Sequence, residues 1–230
     1  MKNIGLLIAV LVVLSGQVTA PAPGSVRHLV YQFGYNTKVA KSGDGTGTTT
    51  IDILGPAADG GVMINGTDYW WNTARPRATN TCELHPNGGV SCSARPYAIS
   101  PMQLTIFPLL AKGFFKGLTA AGTGSFSHPY KVYAAIIPGA AGQPGTPNTW
   151  DCVYSYEGKG HAPHGEGLLL VVGSGTLNQE GGRYRNATSK QRILVDPRIK
   201  LPVFVSDVRT HFPQRSTYNN DLIELSLIQH

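Results

Sequence analysis

Two imidazoles and a carboxylate lie close together in His161-Ala162-Pro163-His164-Gly165-Glu166, and the chemistry such a set could do is metal binding. His161, His164 and Glu166 would offer two neutral ring nitrogens and a carboxylate oxygen, donors that suit zinc or a similar ion. The spacing has neither the helical HExxH frame nor the His-x-His pattern of cupin strands. A solvated loop held between glycines is the simpler account, so a metal-dependent enzyme built on this loop stands as an alternative reading.

A second chemical stretch is Tyr69-Trp70-Trp71-Asn72 followed by Arg75-Pro76-Arg77. Adjacent tryptophans on a strand point to opposite sides, so one of them is expected at the surface or at the mouth of a cavity. Arginines beside aromatics recognise sugars or anionic lipid headgroups. The competing account places a tryptophan in the core and the arginines on an ordinary surface.

No nucleophile motif is present. Gly173-Ser174-Gly175 lacks the Gly-x-Ser-x-Gly frame, and no phosphate-binding loop follows a strand. The acidic residues are few and dispersed, and a glycosidase pair such as Asp52 with Asp68 would need the fold assumed in advance. The sequence therefore assigns no catalytic residue and no cofactor, and it leans away from an enzyme.

The elements that must position these residues begin after a leader. Lys2, the apolar run Ile4 to Leu14 and the small residues Gly16, Val18, Thr19 and Ala20 read as a secretory signal peptide over residues 1–20, cleaved near Ala20. The apolar run is shorter than the roughly twenty residues that span a bilayer. A secreted or periplasmic location follows, with residues 21–230 as a single β-rich domain. Net charge is +6, and the basic residues are scattered, which argues against nucleic acid and allows peripheral contact with a membrane or the cell envelope. The 28 glycines and 16 prolines suit strands and turns better than helices.

One helix stands out. Ser100 and Gln103 have the spacing of a capping box with Pro101 at the first helical position, and an apolar run continues through Ile106, Phe107, Leu110, Phe114 and Leu118. Pro108 should kink it. Strands are expected near 28–35, 48–54, 62–71, 81–85, 89–92, 130–137, 150–156, 168–172, 193–195, 201–209 and 222–228. Residues 38–47 and 173–182 read as glycine-bearing connections, and 168–172 as a strand buried on both faces.

The hairpin around Pro86-Asn87-Gly88 can be counted outward. With His85 opposite Gly89, Leu84 meets Val90 and Cys82 meets Cys92 on one face, so a Cys82–Cys92 disulfide is expected. Cys152 is then left over as a small buried apolar residue. Asn65-Gly66-Thr67 and Asn186-Ala187-Thr188 match glycan acceptor sites.

Ile193-Leu194-Val195-Asp196-Pro197, the turn into Leu201-Pro202-Val203 and the alternating closing strand resemble the C-terminal meander of periplasmic lipoprotein carriers, the LolA-like and LppX-like half-barrels. That resemblance implies a curved antiparallel sheet with a helix on its concave side and an apolar cavity for acyl chains.

The expected fold is thus mainly β (α+β), a curved antiparallel sheet or half-barrel with one kinked helix packed on its concave face. The expected function is binding of a lipid or other apolar small molecule without catalysis. Trp70, Phe107, Leu110 and Phe114 would line the space between helix and sheet, with Arg75 and Arg77 at its rim and few polar residues pointing inward. A structural role in the envelope or at the surface is the remaining alternative.

Overall fold

A computed structural model describes residues 27–37, 45–70, 76, 78–86, 89–92, 100–132, 148–159, 167–179, 187–211 and 219–230. Strands β1 (Arg27–Thr37), β2 (Gly45–Pro56), β3 (Val62–Trp70), β4 (Ala78–Leu84) and β5 (Val90–Cys92) precede two helices, α1 (Pro101–Leu110) and α2 (Lys112–Ala121). Strands β6 (Ser125–Ser127), β7 (Tyr130–Val132), β8 (Asn148–Lys159), β9 (Leu169–Gln179), β10 (Ala187–Asp196), β11 (Leu201–His211) and β12 (Asn219–Gln229) follow.

The twelve strands of the described residues form one curved sheet in the order β6-β8-β7-β5-β4-β3-β2-β1-β12-β11-β10-β9. Its pairings are antiparallel apart from a single parallel contact, Val90 opposite Val132. The curl brings β8, near one end of that order, into register with β9 at the other. Alternation along the strands turns Leu29, Tyr31, Phe33, Ile51, Ile64, Val171, Ile193, Val205, Ile223 and Leu225 into the hollow, all of them buried.

The expected kinked helix on the concave side is there, with its kink resolved into a break. Pro108 lies inside α1, Ala111 adopts an extended backbone (ψ 141°), and α1 and α2 meet at 58°. The carbonyl of Pro108 accepts from Ala111 N at 3.3 Å and from His128 Nε2 at 3.0 Å, so the break leaves it satisfied. Ser100 caps α1 by accepting from Gln103 N at 3.1 Å. The reciprocal half of the capping box is replaced, because the Gln103 side chain turns into the sheet and accepts from Asn80 Nδ2 at 2.6 Å.

α1 is enclosed on every side: Met102 through Leu109 are all buried. It packs tightly on the wall at Gly66, where an added Cβ would lie 2.4 Å from the Phe107 ring. Gly66→Ala should therefore cost about 1–3 kcal/mol in urea unfolding, the usual penalty of overpacking. A second change that shortens the ring, Phe107→Leu, should return part of that loss.

The hairpin count holds at residue level. Cys82 pairs with Cys92 and Leu84 with Val90, His85 N donates to Gly89 O at 2.7 Å, and the disulfide is formed. Cys152 is free and buried, and burial pushes its thiol up to about 12.

Two expectations are corrected. Residues 45–47 and 173–179 are strand, because Gly47 and Gly173 sit under the rings of Phe33 and Tyr154 and leave no space for a Cβ. Strand β9 is also not buried on both faces: Val171 is buried, while Leu170 and Val172 are only half-buried.

Candidate functional site

Three of the six expected ligand-binding residues, Phe107, Leu110 and Phe114, lie on the helices that fill the expected ligand space. Phe107 and Phe114 are fully buried and Leu110 is half-buried against the core. Phe114 packs edge-on to Phe115, Phe126 and Tyr154, with ring centroids 5.2 to 5.7 Å apart. Trp70 is 9% exposed and packs instead with Phe33 and Tyr35, at 5.2 and 5.7 Å. Arg75, Arg77, Trp71, His161, His164, Glu166 and Asn186 lie outside the described residues.

The hollow is not the sparsely polar interior expected from the sequence. Two polar clusters join α1 to the wall. In the first, Asp207 is fully buried and accepts at Oδ1 from Ser189 Oγ (2.6 Å). Its Oδ2 accepts from Arg209 Nε (2.8 Å) and Gln191 Nε2 (3.1 Å). Tyr154 OH donates to Gln191 Oε1 at 3.0 Å. From α1, Thr105 Oγ1 accepts from Arg209 Nη2 at 2.7 Å and lies 3.1 Å from Asp207 Oδ2. This is a buried ion pair in a hydrogen-bond network, with the helix supplying one member.

The second cluster sits at the start of α1. Asp68 Oδ1 accepts from Thr49 Oγ1 at 2.8 Å, while Asp68 Oδ2 and Gln103 Nε2 have no hydrogen-bond partner of good geometry among the described residues. Burial pushes the Asp68 carboxyl up to about 6, and the Ser100, Thr49 and Gln103 side chains oppose that rise. Nearby, His128 is held below the ordinary histidine range by burial, consistent with a neutral ring that donates to the Pro108 carbonyl.

The inward turn of Asp68, Asn80, Ser189, Gln191, Asp207 and Arg209 was missed from the sequence, although strand periodicity carries a signal for it. Val205, Asp207 and Arg209 are spaced by two, and the register puts Asp207 opposite the core residue Ile223. A separate open depression of about 500 Å³ lies across β12, β1 and β2, lined by Gly34, Tyr35, Asn36, Gly45, Thr46, Leu222 and Glu224. Of the expected ligand-binding residues among the described ones, Trp70, Phe107, Leu110 and Phe114, none lines it.

No protein-family model matches the chain, and neither a curated protein nor a solved structure matches it.

Proposed function

We propose that the protein is a secreted or periplasmic binding protein for a hydrophobic or amphiphilic ligand, and that α1 occupies the ligand's space when none is bound. The observation that carries this reading is the enclosure of α1. It has no solvent-facing side, its buried face includes Met102, Leu104, Ile106, Phe107 and Leu109, and the wall around it is largely apolar beside the two polar clusters and His128. A helix that leaves such a hollow vacates room suited to acyl chains. Side-chain hydrogen bonds between α1 and the wall run through Gln103, Thr105 and the Pro108 carbonyl, which His128 reaches. The Cys82–Cys92 disulfide supports export. The likeness to periplasmic lipoprotein carriers belongs to the same proposal, as does contact of Arg75 and Arg77 with an anionic headgroup.

One observation favours a second reading, a structural protein of the envelope or surface: Phe107 and Tyr154 are seated tightly on Gly66 and Gly173. Solvent extraction and native mass spectrometry, combined with hydrogen exchange, separate the two. A carrier yields bound lipid or takes up a fluorescent fatty acid. Its amides over residues 101–110 then exchange faster by roughly tenfold, the change given by about 1.4 kcal/mol of lost protection. No lipid, no probe uptake and unchanged exchange in α1 would leave the structural reading.

A further inference from the structure

On the outer face, away from the hollow, a carboxylate, an imidazole and a hydroxyl form a chain of hydrogen bonds. Asp59 Oδ2 is 2.6 Å from His85 Nδ1, and His85 Nε2 is 2.7 Å from Ser91 Oγ. We propose that Asp59, His85 and Ser91 are a nucleophilic relay that transfers acyl groups from activated esters to water. This inference is independent of the interior and of the binding role proposed for it.

Three features hold the relay in place. The β4–β5 hairpin is fixed in register by the Cys82–Cys92 disulfide and by His85 N donating to Gly89 O, which sets His85 and Ser91 on the same outward face. Asp59 comes from the β2–β3 turn, where its Oδ1 accepts from Gly61 N at 2.8 Å and so leaves Oδ2 aimed at the imidazole. That turn nests against the hairpin only because residue 61 is glycine: a Cβ there would lie 2.3 Å from the Leu84 carbonyl and 3.2 Å from His85 Cα. Lys112 Nζ, from the first turn of α2, donates to Gly60 O at 2.8 Å and ties the same turn to the helix.

The proton positions follow from the partners. The His85 and Gly61 hydrogen bonds hold the Asp59 carboxyl below its ordinary value, so at neutral pH it is ionised and only accepts. His85 Nδ1 therefore carries a hydrogen, and in the neutral ring Nε2 is left to accept from Ser91. That is the tautomer a general base needs, with the base oriented by a third group. At 24% exposure the imidazole can be reached by a substrate, and Ser91 is half-buried.

In the reaction Ser91 Oγ forms a bond to the ester carbonyl carbon as its proton passes to His85 Nε2. The tetrahedral species then expels the alcohol, which takes that proton. Water, deprotonated by the same nitrogen, attacks the acyl-serine, and Ser91 recovers its hydrogen as the carboxylic acid leaves.

The test treats the full chain with a fluorophosphonate and with p-nitrophenyl acetate, and maps the adduct by peptide mass spectrometry. The expected result is one phosphonyl group on Ser91, none in Ser91→Ala, and ester turnover lowered by about a hundredfold or more in His85→Gln and Asp59→Asn. Ser91→Ala removes one half-buried oxygen and keeps the disulfide, so loss of labelling in it can be checked against an unchanged unfolding curve. An unlabelled Ser91 in the folded natural chain overturns the proposal. So does turnover equal in Ser91→Ala, or stoichiometric zinc held by Asp59, Glu83 and His85, whose donor atoms lie within 4.8 Å of one another.

Discussion

Replacing Asp207 with alanine will lower the stability of this protein by about 3–5 kcal/mol, the cost of removing one partner of a buried ion pair. Arg209 is 3% exposed and Asp207 not at all, so the guanidinium would stay buried without its carboxylate partner. The same substitution takes the acceptor from Ser189 Oγ and Gln191 Nε2, each a buried donor whose bond to Asp207 is lost. For a domain of this size the thermal midpoint should fall by about 6–20 °C. Asp207→Asn, which keeps an oxygen for Ser189 but not the charge, should fall between the natural chain and the alanine variant. Replacing both charges, as in Asp207→Leu with Arg209→Met, should recover part of the loss, because two apolar groups of similar size leave no buried charge behind. Denaturant unfolding of the four proteins checks this. A single alanine variant within 1 kcal/mol of the natural chain would mean that the pair is solvated and that the network does not tie α1 to the wall.

What the sequence made legible was local. The 82–92 hairpin could be counted from its turn because a three-residue loop sets which residues oppose, and the cysteines fell on the apolar face with Leu84 and Val90. The same count places His85 and Ser91 on the other face. Asp59, however, arrives from a different hairpin, and only the close approach at Gly61 brings it there. The start of α1 was legible from Ser100 and Pro101. The fate of the Gln103 side chain was not, since Asn80 is a partner from another element. Glycine misled for the same reason. Gly47 and Gly173 carry no local mark that distinguishes a turn from a socket, and the rings they receive belong to Phe33 and Tyr154 on neighbouring strands. The metal-type loop at 161–166 and the arginines at 75 and 77 were singled out by residue type alone, and they lie outside the described residues.

The Asp68 carboxyl gives the second large effect, and its sign is opposite to that of an acid held ionised by a cation. Its folded value is raised to about 6 from an ordinary 3.8, chiefly by desolvation, so the folded chain holds this proton more tightly than the unfolded one. The stability it contributes is therefore fully present below about pH 3.8, is lost as pH rises through about 6, and stays lost above that. The difference is about 3 kcal/mol across that window, at 1.36 kcal/mol per pH unit. Asp68→Asn removes the titration and keeps an oxygen to accept from Thr49 Oγ1, the bond that holds Oδ1 at 2.8 Å. The asparagine variant should thus be close to the natural chain near pH 4 and more stable by about 3 kcal/mol at pH 7.5. Urea unfolding of both proteins at intervals from pH 4 to 7.5 tests it, because groups common to the two chains cancel in the difference. A difference that stays flat with pH would show that the carboxyl is reached by water and that the start of α1 is not sealed against the sheet. A difference that grows with pH would place an ionised, poorly bonded carboxylate beside Ser100 and Gln103 at neutral pH. The helix would then be seated most firmly in acid and most readily released near neutrality.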